Sequence, residues 1–402
     1  MTRVFERAIA DGPVGRAFII GVGAYPHAKP ANATNSTPQK LRDVPDLQSA
    51  ATGAALFCDW LISNADLLAA PLGSIDLLLN VTTNSGVISS YHWMERLTIP
   101  TGATDPRNGN STVDDPTVAN VKTTGVKWRT DLALGAQNLA IFYICGHGAT
   151  LGGDNIVFLA DLNSDDANPW GALLNIQTHA SAFKVIPSIR TAFFFVDACS
   201  ELVTDIVLVD PGVGAQFATS GGKLGEEKVT LLAAATAKRL SYEGGLFEQP
   251  DIKAGRFTQC VLQGLSGAAV RPPFNGVGWS VHGTSLFESL KPLYSLRLDW
   301  VDLPFEPGPP MLPADRYKIV EYASPPHIPF RVRFVPPRSV DWALEIQDHV
   351  NTQIVARPSG PPVDWNTRAP ASLYPYTLTG VSTLETKTVT MMTCQSNYCY
   401  DL

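Results

Sequence analysis

Two side chains in this sequence could form a nucleophile and its base. His147 and Cys199 each follow a run of apolar residues, 139–144 and 192–196, and stand about fifty residues apart. A thiol attacks only as its thiolate, so a working cysteine needs an imidazole or a positive dipole to lower its pKa. The same imidazole can return the proton to a leaving group. Gly146 and Gly148 flank the histidine and would let a substrate approach the main chain closely. The backbone N–H groups of Gly148 and Cys199 are then the candidate oxyanion hole. Each piece alone has a plainer meaning, since a cysteine after a strand is usually a small buried hydrophobe and an isolated histidine is usually structural. The joint pattern is what points to acyl-transfer chemistry.

Elements must bring the two residues together. Uninterrupted apolar runs are expected of parallel strands covered on both faces, and active sites of open α/β sheets gather beyond the carboxyl ends of such strands. Residues 17–22 read as a buried strand, 47–62 as a helix and 74–79 as another strand, and Pro116 opens a predicted helix toward Leu134. A strand over 229–235 and a helix start over 255–262 follow. The alternation predicts an α/β fold, a mostly parallel sheet flanked by helices. Around 304–313 the composition turns to proline, and beyond 325 short runs at 330–335, 342–346 and 376–379 alternate with turn residues. These predict a small C-terminal β-sandwich-like domain, with the expected division at 1–320 and 325–402.

The motif Phe142-Tyr143-Ile144-Cys145-Gly146-His147-Gly148 resembles the histidine motif of the caspase, metacaspase and paracaspase group, and Phe195-Val196-Asp197-Ala198-Cys199-Ser200 resembles its cysteine motif. Residues 17–25 are similar to the family's opening strand, 155–161 to the strand and aspartate after the histidine, and 229–290 to its small-subunit region. The resemblance implies a caspase-like fold of bacterial type and a cysteine endopeptidase using a Cys199–His147 dyad. Where animal caspases carry glutamine and arginine around the nucleophile, this chain has Asp197 and Ser200, which resembles metacaspases. That implies Asp197 in the substrate pocket and cleavage after Arg or Lys, a cation that a carboxylate binds by charge-assisted hydrogen bonds. A second pocket acid is expected after the first strand, with Asp43 and Asp46 both open as candidates beside their reading as a solvated turn or helix cap. Residues 201–228, with Lys223 and Lys228, match the linker cut when family members mature, which implies a zymogen that processes itself. Calcium could be drawn to Asp161, Asp165 and Asp166, although they lack a recognisable loop signature and read better as an acidic turn; no metal or other cofactor is expected.

Composition narrows the partners. With 45% hydrophobic and 17% charged residues the chain can bury a substantial core. A net charge of −7 without a long basic run argues against nucleic acid as the primary partner. No signal-like apolar stretch opens the sequence and none reaches membrane-spanning length. The six cysteines are scattered, which is expected of reduced thiols in a cytoplasm. The expected partners are a peptide or protein substrate and an activating protease or regulator, in a stress or antiviral defence response by analogy with the family. A scaffold that binds through its C-terminal domain and an amidase acting on a small molecule are the competing readings.

Overall fold

The computed structural model describes residues 2–28, 44–80, 103–104, 113–151, 153–165, 167–168, 170–198, 201–202, 214–218, 225–235, 243–245, 253–273, 278–296, 305–308, 310–311, 317–334, 340–361, 363–372, 374–382, 385–391 and 398–401. They form two compact units, Met1–Gln259 with Glu306–Tyr317, and Cys260–Phe305 with Lys318–Leu402.

In the first unit β1 (Arg3–Arg7) and β2 (Gly15–Val22) precede helix α1 (Gln48–Ser63), then β3 (Leu72–Asn80), β4 (Ala103–Thr104) and α2 (Val118–Leu132). Next come β5 (Asn138–Gly146), β6 (Gly148–Leu151), β7 (Asp154–Phe158), β8 (Leu173–Asn175), α3 (Ile176–Phe183), β9 (Ile189–Ala198) and β10 (Glu201–Leu202). After β11 (Val229–Ala233), a hairpin of β12 (Glu243–Gly245) and β13 (Lys253–Gly255) leads into α4 (Arg256–Gln263). The main sheet has the order β11-β9-β5-β2-β3-β1-β4. Its first five strands are parallel, while β1 and β4 extend it in the antiparallel sense. A second sheet, β10-β6-β7-β8, begins one residue after β5 ends.

The sequence builds this sheet through two-residue periodicity. On one face Phe18, Phe142 and Phe194 meet Trp128 of α2, Phe183 of α3 and Phe217. On the other, Phe57 of α1 stacks on Tyr143 at 4.6 Å and approaches Phe195. Both faces being covered, β5 is buried at every position. Two helix starts are capped by side chains: Thr117 accepts from the Asn120 N–H and Asn175 from the Thr178 N–H, worth about 1 kcal/mol each. Along the outer edge of β11, Leu231 and Met311 exchange backbone hydrogen bonds of 2.8 and 3.0 Å, and the Gly308 N–H donates to the Ala233 carbonyl.

In the second unit β14 (Trp279–His282), α5 (Gly283–Ser295) and β15 (Lys318–Tyr322) precede seven further strands. These are β16 (His327–Arg333), β17 (Trp342–Gln347), β18 (Gln353–Gly360), β19 (Trp365–Pro370), β20 (Tyr376–Ser382), β21 (Thr386–Met391) and β22 (Cys399–Asp401). They make two small sheets, β19-β16-β22 and β18-β17-β20-β21, antiparallel except for the β16–β22 pair. Arg331 is buried in the first sheet with Asp364 as its ion-pair partner.

The α/β architecture with C-terminal antiparallel strands agrees with the sequence expectation. The division does not fall at 320–325. Residues 260–305 belong with the C-terminal strands, because β14 pairs with β15, so the stretch 229–290 is split between the units. Among the described residues no helix is long and apolar enough to cross a membrane.

Candidate active site

His147 occupies the single position between β5 and β6, at the carboxyl end of the parallel strands. Its backbone N–H donates to the Tyr25 hydroxyl at 2.8 Å, and the two rings lie 5.3 Å apart. Its Nε2 lies 2.9 Å from the Pro45 carbonyl oxygen. A carbonyl can only accept, so Nε2 carries the hydrogen and Nδ1 is the basic nitrogen of the neutral ring. Gly146 leaves room beneath this arrangement: a Cβ there would stand 3.0 Å from the Tyr25 hydroxyl and 3.1 Å from Val22 Cβ, a tight fit that its neighbours would have to ease.

The loops that hold Tyr25 and Pro45 are themselves tied. Asp46 accepts from the Tyr25 N–H at 3.2 Å, Leu47 donates to the Gly23 carbonyl, and Asn80 accepts from the N–H groups of Gly23 and Ala24. One oxygen of the pocket candidate Asp46 therefore serves the backbone that orients the histidine. The other candidate, Asp43, lies outside the described residues.

Cys199 also lies outside the described residues, but both of its flanks are defined. On one side Gly146 pairs with Ala198 in parallel register, and on the other Ala149 pairs with Glu201. The chain on either side of Cys199 is thus in register with the chain on either side of His147. Gly148 is the first residue of β6, where it pairs with Val157.

Asp197 lies beside Cys145 on β9 and is 3% exposed. Its Oδ2 accepts from the Thr258 hydroxyl at 2.5 Å and from the Thr258 N–H at 3.2 Å. Thr258 in turn lies 2.6 Å from the Tyr143 hydroxyl. Burial pushes the Tyr143 phenol well above its ordinary pKa, reinforced by Cys145 and Asp197, so it stays protonated.

One expectation about the neighbouring segments changes. Lys228 is not an accessible cleavage point: it is 3% exposed, its Nζ donates to the Ile186 carbonyl at 2.7 Å, and its own carbonyl accepts from Ala192. Lys223 lies outside the described residues. Within the same linker, Phe217 is buried and stacks on the His179 ring at 4.0 Å, so residues 214–218 are anchored in the core. Of the acidic turn, both Asp161 oxygens accept from the Val118 N–H at the start of α2, Asp165 accepts from the Ala167 N–H, and Asp166 lies outside the described residues. Among the described residues no cluster of three His, Cys, Asp or Glu side chains could hold a metal ion.

Sequence reasoning missed Tyr25, the Pro45 carbonyl, Tyr143 and Thr258. A backbone acceptor carries no residue signature, and the contact of Thr258 with Asp197 joins residues 61 apart in the chain.

No family model matches the chain. It is similar to the uncharacterized protein y4kE of Sinorhizobium fredii (strain NBRC 101917 / NGR234), with 32% identity over 226 residues, which is 54% of this chain and 55% of that protein. The chain thus spans about half the length of the curated relative it matches.

Proposed function

We propose that this chain is a caspase-like cysteine endopeptidase that uses Cys199 as nucleophile and His147 as its base, and that it cleaves after Arg or Lys. The observation that carries this reading is the paired register around His147 and Cys199. Gly146 pairs with Ala198 and Ala149 with Glu201, so the chain segments that flank the two residues run side by side, with neighbouring strands about 4.8 Å apart.

The tautomer fits the role. With Nε2 donating to the Pro45 carbonyl, Nδ1 is the nitrogen able to take the thiol proton. The thiolate then attacks the scissile carbonyl, and the Gly148 and Cys199 amides hold the oxyanion. His147 gives its proton to the departing amine, and water, deprotonated by the same imidazole, hydrolyses the acyl-enzyme and frees the thiol. Asp197 supplies the negative charge for a basic P1 side chain. The scattering of the six cysteines along the chain supports a reducing, cytoplasmic setting.

The test is hydrolysis of fluorogenic peptides bearing Arg, Lys or Asp at P1 by the wild type and by Cys199→Ala. Release from the Arg and Lys peptides, abolished in the variant, is expected. Asp preference would overturn the pocket assignment. Silence on every peptide from a folded protein would favour the scaffold reading, in which the C-terminal strands recruit partners.

A further inference from the structure

The surroundings of Asp197 carry more than a pocket charge. Thr258 presents two donors, a backbone N–H and a hydroxyl, to one oxygen of the carboxylate. A hydroxyl has one hydrogen, and an ionised carboxylate only accepts, so the Thr258 hydrogen goes to Asp197 and the Tyr143 phenol donates to Thr258. The result is a directed chain, Tyr143 to Thr258 to Asp197, in which each bond polarises the next. Both Thr258 donors are neutral. They fix the carboxylate plane, and neither of them brings a positive charge.

The backbone makes room for this chain at two positions. A Cβ on Gly255 would fall 1.9 Å from Asp197 Oδ2, so only glycine lets β13 pass against the carboxylate. A Cβ on Gly53 of α1 would fall 2.7 Å from the Tyr143 hydroxyl and 3.5 Å from Thr258 Oγ1. Gln259 fastens the same turn by donating to the Gly244 and Ala254 carbonyls at 2.9 and 3.2 Å. The β13–α4 turn thus meets the carboxylate carried by β9, and β5 and α1 meet the Thr258 hydroxyl behind it.

From this convergence we propose that Thr258, backed by Tyr143, is a positioning residue that aims Asp197 and so sets the preference for a cationic P1 side chain. The inference rests on the reading of Asp197 as the pocket acid. With Oδ2 engaged by both Thr258 donors, a guanidinium would be met by the other oxygen, whose direction those two bonds fix, so loss of the aim costs the cationic substrate more than its neutral isostere.

The experiment compares kcat/KM for matched peptides with Arg or citrulline at P1. Thr258→Val keeps the volume and the backbone N–H but removes the hydroxyl, and the Arg-to-citrulline ratio should fall about tenfold. Tyr143→Phe should lower it about threefold, and Thr258→Ser should restore it to within about twofold of wild type. The loss is expected mainly in KM for Arg, with melting temperatures recorded to show that each variant folds. Asp197→Asn separates the two layers. If it abolishes the Arg preference while Thr258→Val and Tyr143→Phe leave the ratio unchanged, the positioning proposal is wrong and the pocket reading stands. If Asp197→Asn leaves the ratio unchanged, the pocket reading fails and the proposal falls with it. A wild type that cleaves neither peptide overturns both.

Discussion

The parallel sheet of the first unit and the four-stranded sheet of the second bury their residues by different rules. Strands β5 and β9 are enclosed almost along their whole length, so their sequences are continuous apolar runs. Strand β17 alternates buried and half-buried positions, and β21 presents Thr386, Thr388 and Thr390 to solvent. A strand between two helix layers has no face on which a polar residue is free of cost, whereas a strand with one wet face can change every second residue cheaply. The contrast teaches where chemistry can be placed. In the first unit His147 stands beyond the strand ends, and where a carboxylate is enclosed within a strand, as at Asp76 and Asp197, hydrogen-bond donors are built against it.

The largest expected effect that would break this contrast comes from Phe142→Ala. Phe142 is fully buried and touches the rings of Phe18, Trp128, Phe194 and Phe217, so its removal should cost about 3–5 kcal/mol in denaturant unfolding. A loss below about 1 kcal/mol would show that the two-layer core is looser than its packing implies.

A smaller effect is expected from pH. Burial holds the imidazole of His179 down to about 4, against the pull of the Ala215 and Ala218 carbonyls, while the unfolded chain takes up this proton near the ordinary value of 6.5. Below that value the unfolded state binds the proton first. The stability contributed by the neutral ring is therefore present above pH 6.5 and is lost as pH falls toward 4, amounting to up to about 3 kcal/mol. His179→Gln should flatten this part of the melting-temperature profile relative to wild type. An unchanged slope would mean that protonation does not loosen the stack on Phe217.

The smallest effect sharpens the other side of the contrast. Thr388→Ala on the exposed face of the edge strand β21 should change stability by no more than about 0.5 kcal/mol in the same unfolding assay. A larger loss would show that this face is covered.

What could be read in advance followed from the same difference. Residues 139–144 and 192–196 announced β5 and β9, and the helix expected over 47–62 is α1, Gln48–Ser63. Pro116 lies just before the Thr117 cap of α2, so the start signal was legible to within two residues. Helix α3 went unmarked because its eight residues give only about two turns of periodicity. The sheet's extension by β1 was hidden as well: Arg3 is accommodated by the buried Asp76 and by Asp131, partners 73 and 128 residues away. The candidate histidine stood out by its type and its flanking glycines. Its tautomer depends on the Pro45 carbonyl, which no side chain signals, and the hydrogen bonds to Asp197 depend on packing between distant segments. The unit boundary was misplaced because the proline-rich stretch looks like a linker, yet residues 306–317 return to the first unit.

That returning stretch decides what the end of the sheet can do. An open strand edge is a row of unused amides and carbonyls on which a foreign chain can crystallise into further strands. Here the edge of β11 is occupied by Gly308 and Met311, within a sequence that carries Pro307, Pro309, Pro310 and Pro313. A proline has no amide hydrogen to offer, so this composition is poor in donors for a further strand. The strap thus takes up amides and carbonyls on the outer edge of the most apolar layer, which a foreign strand would otherwise use.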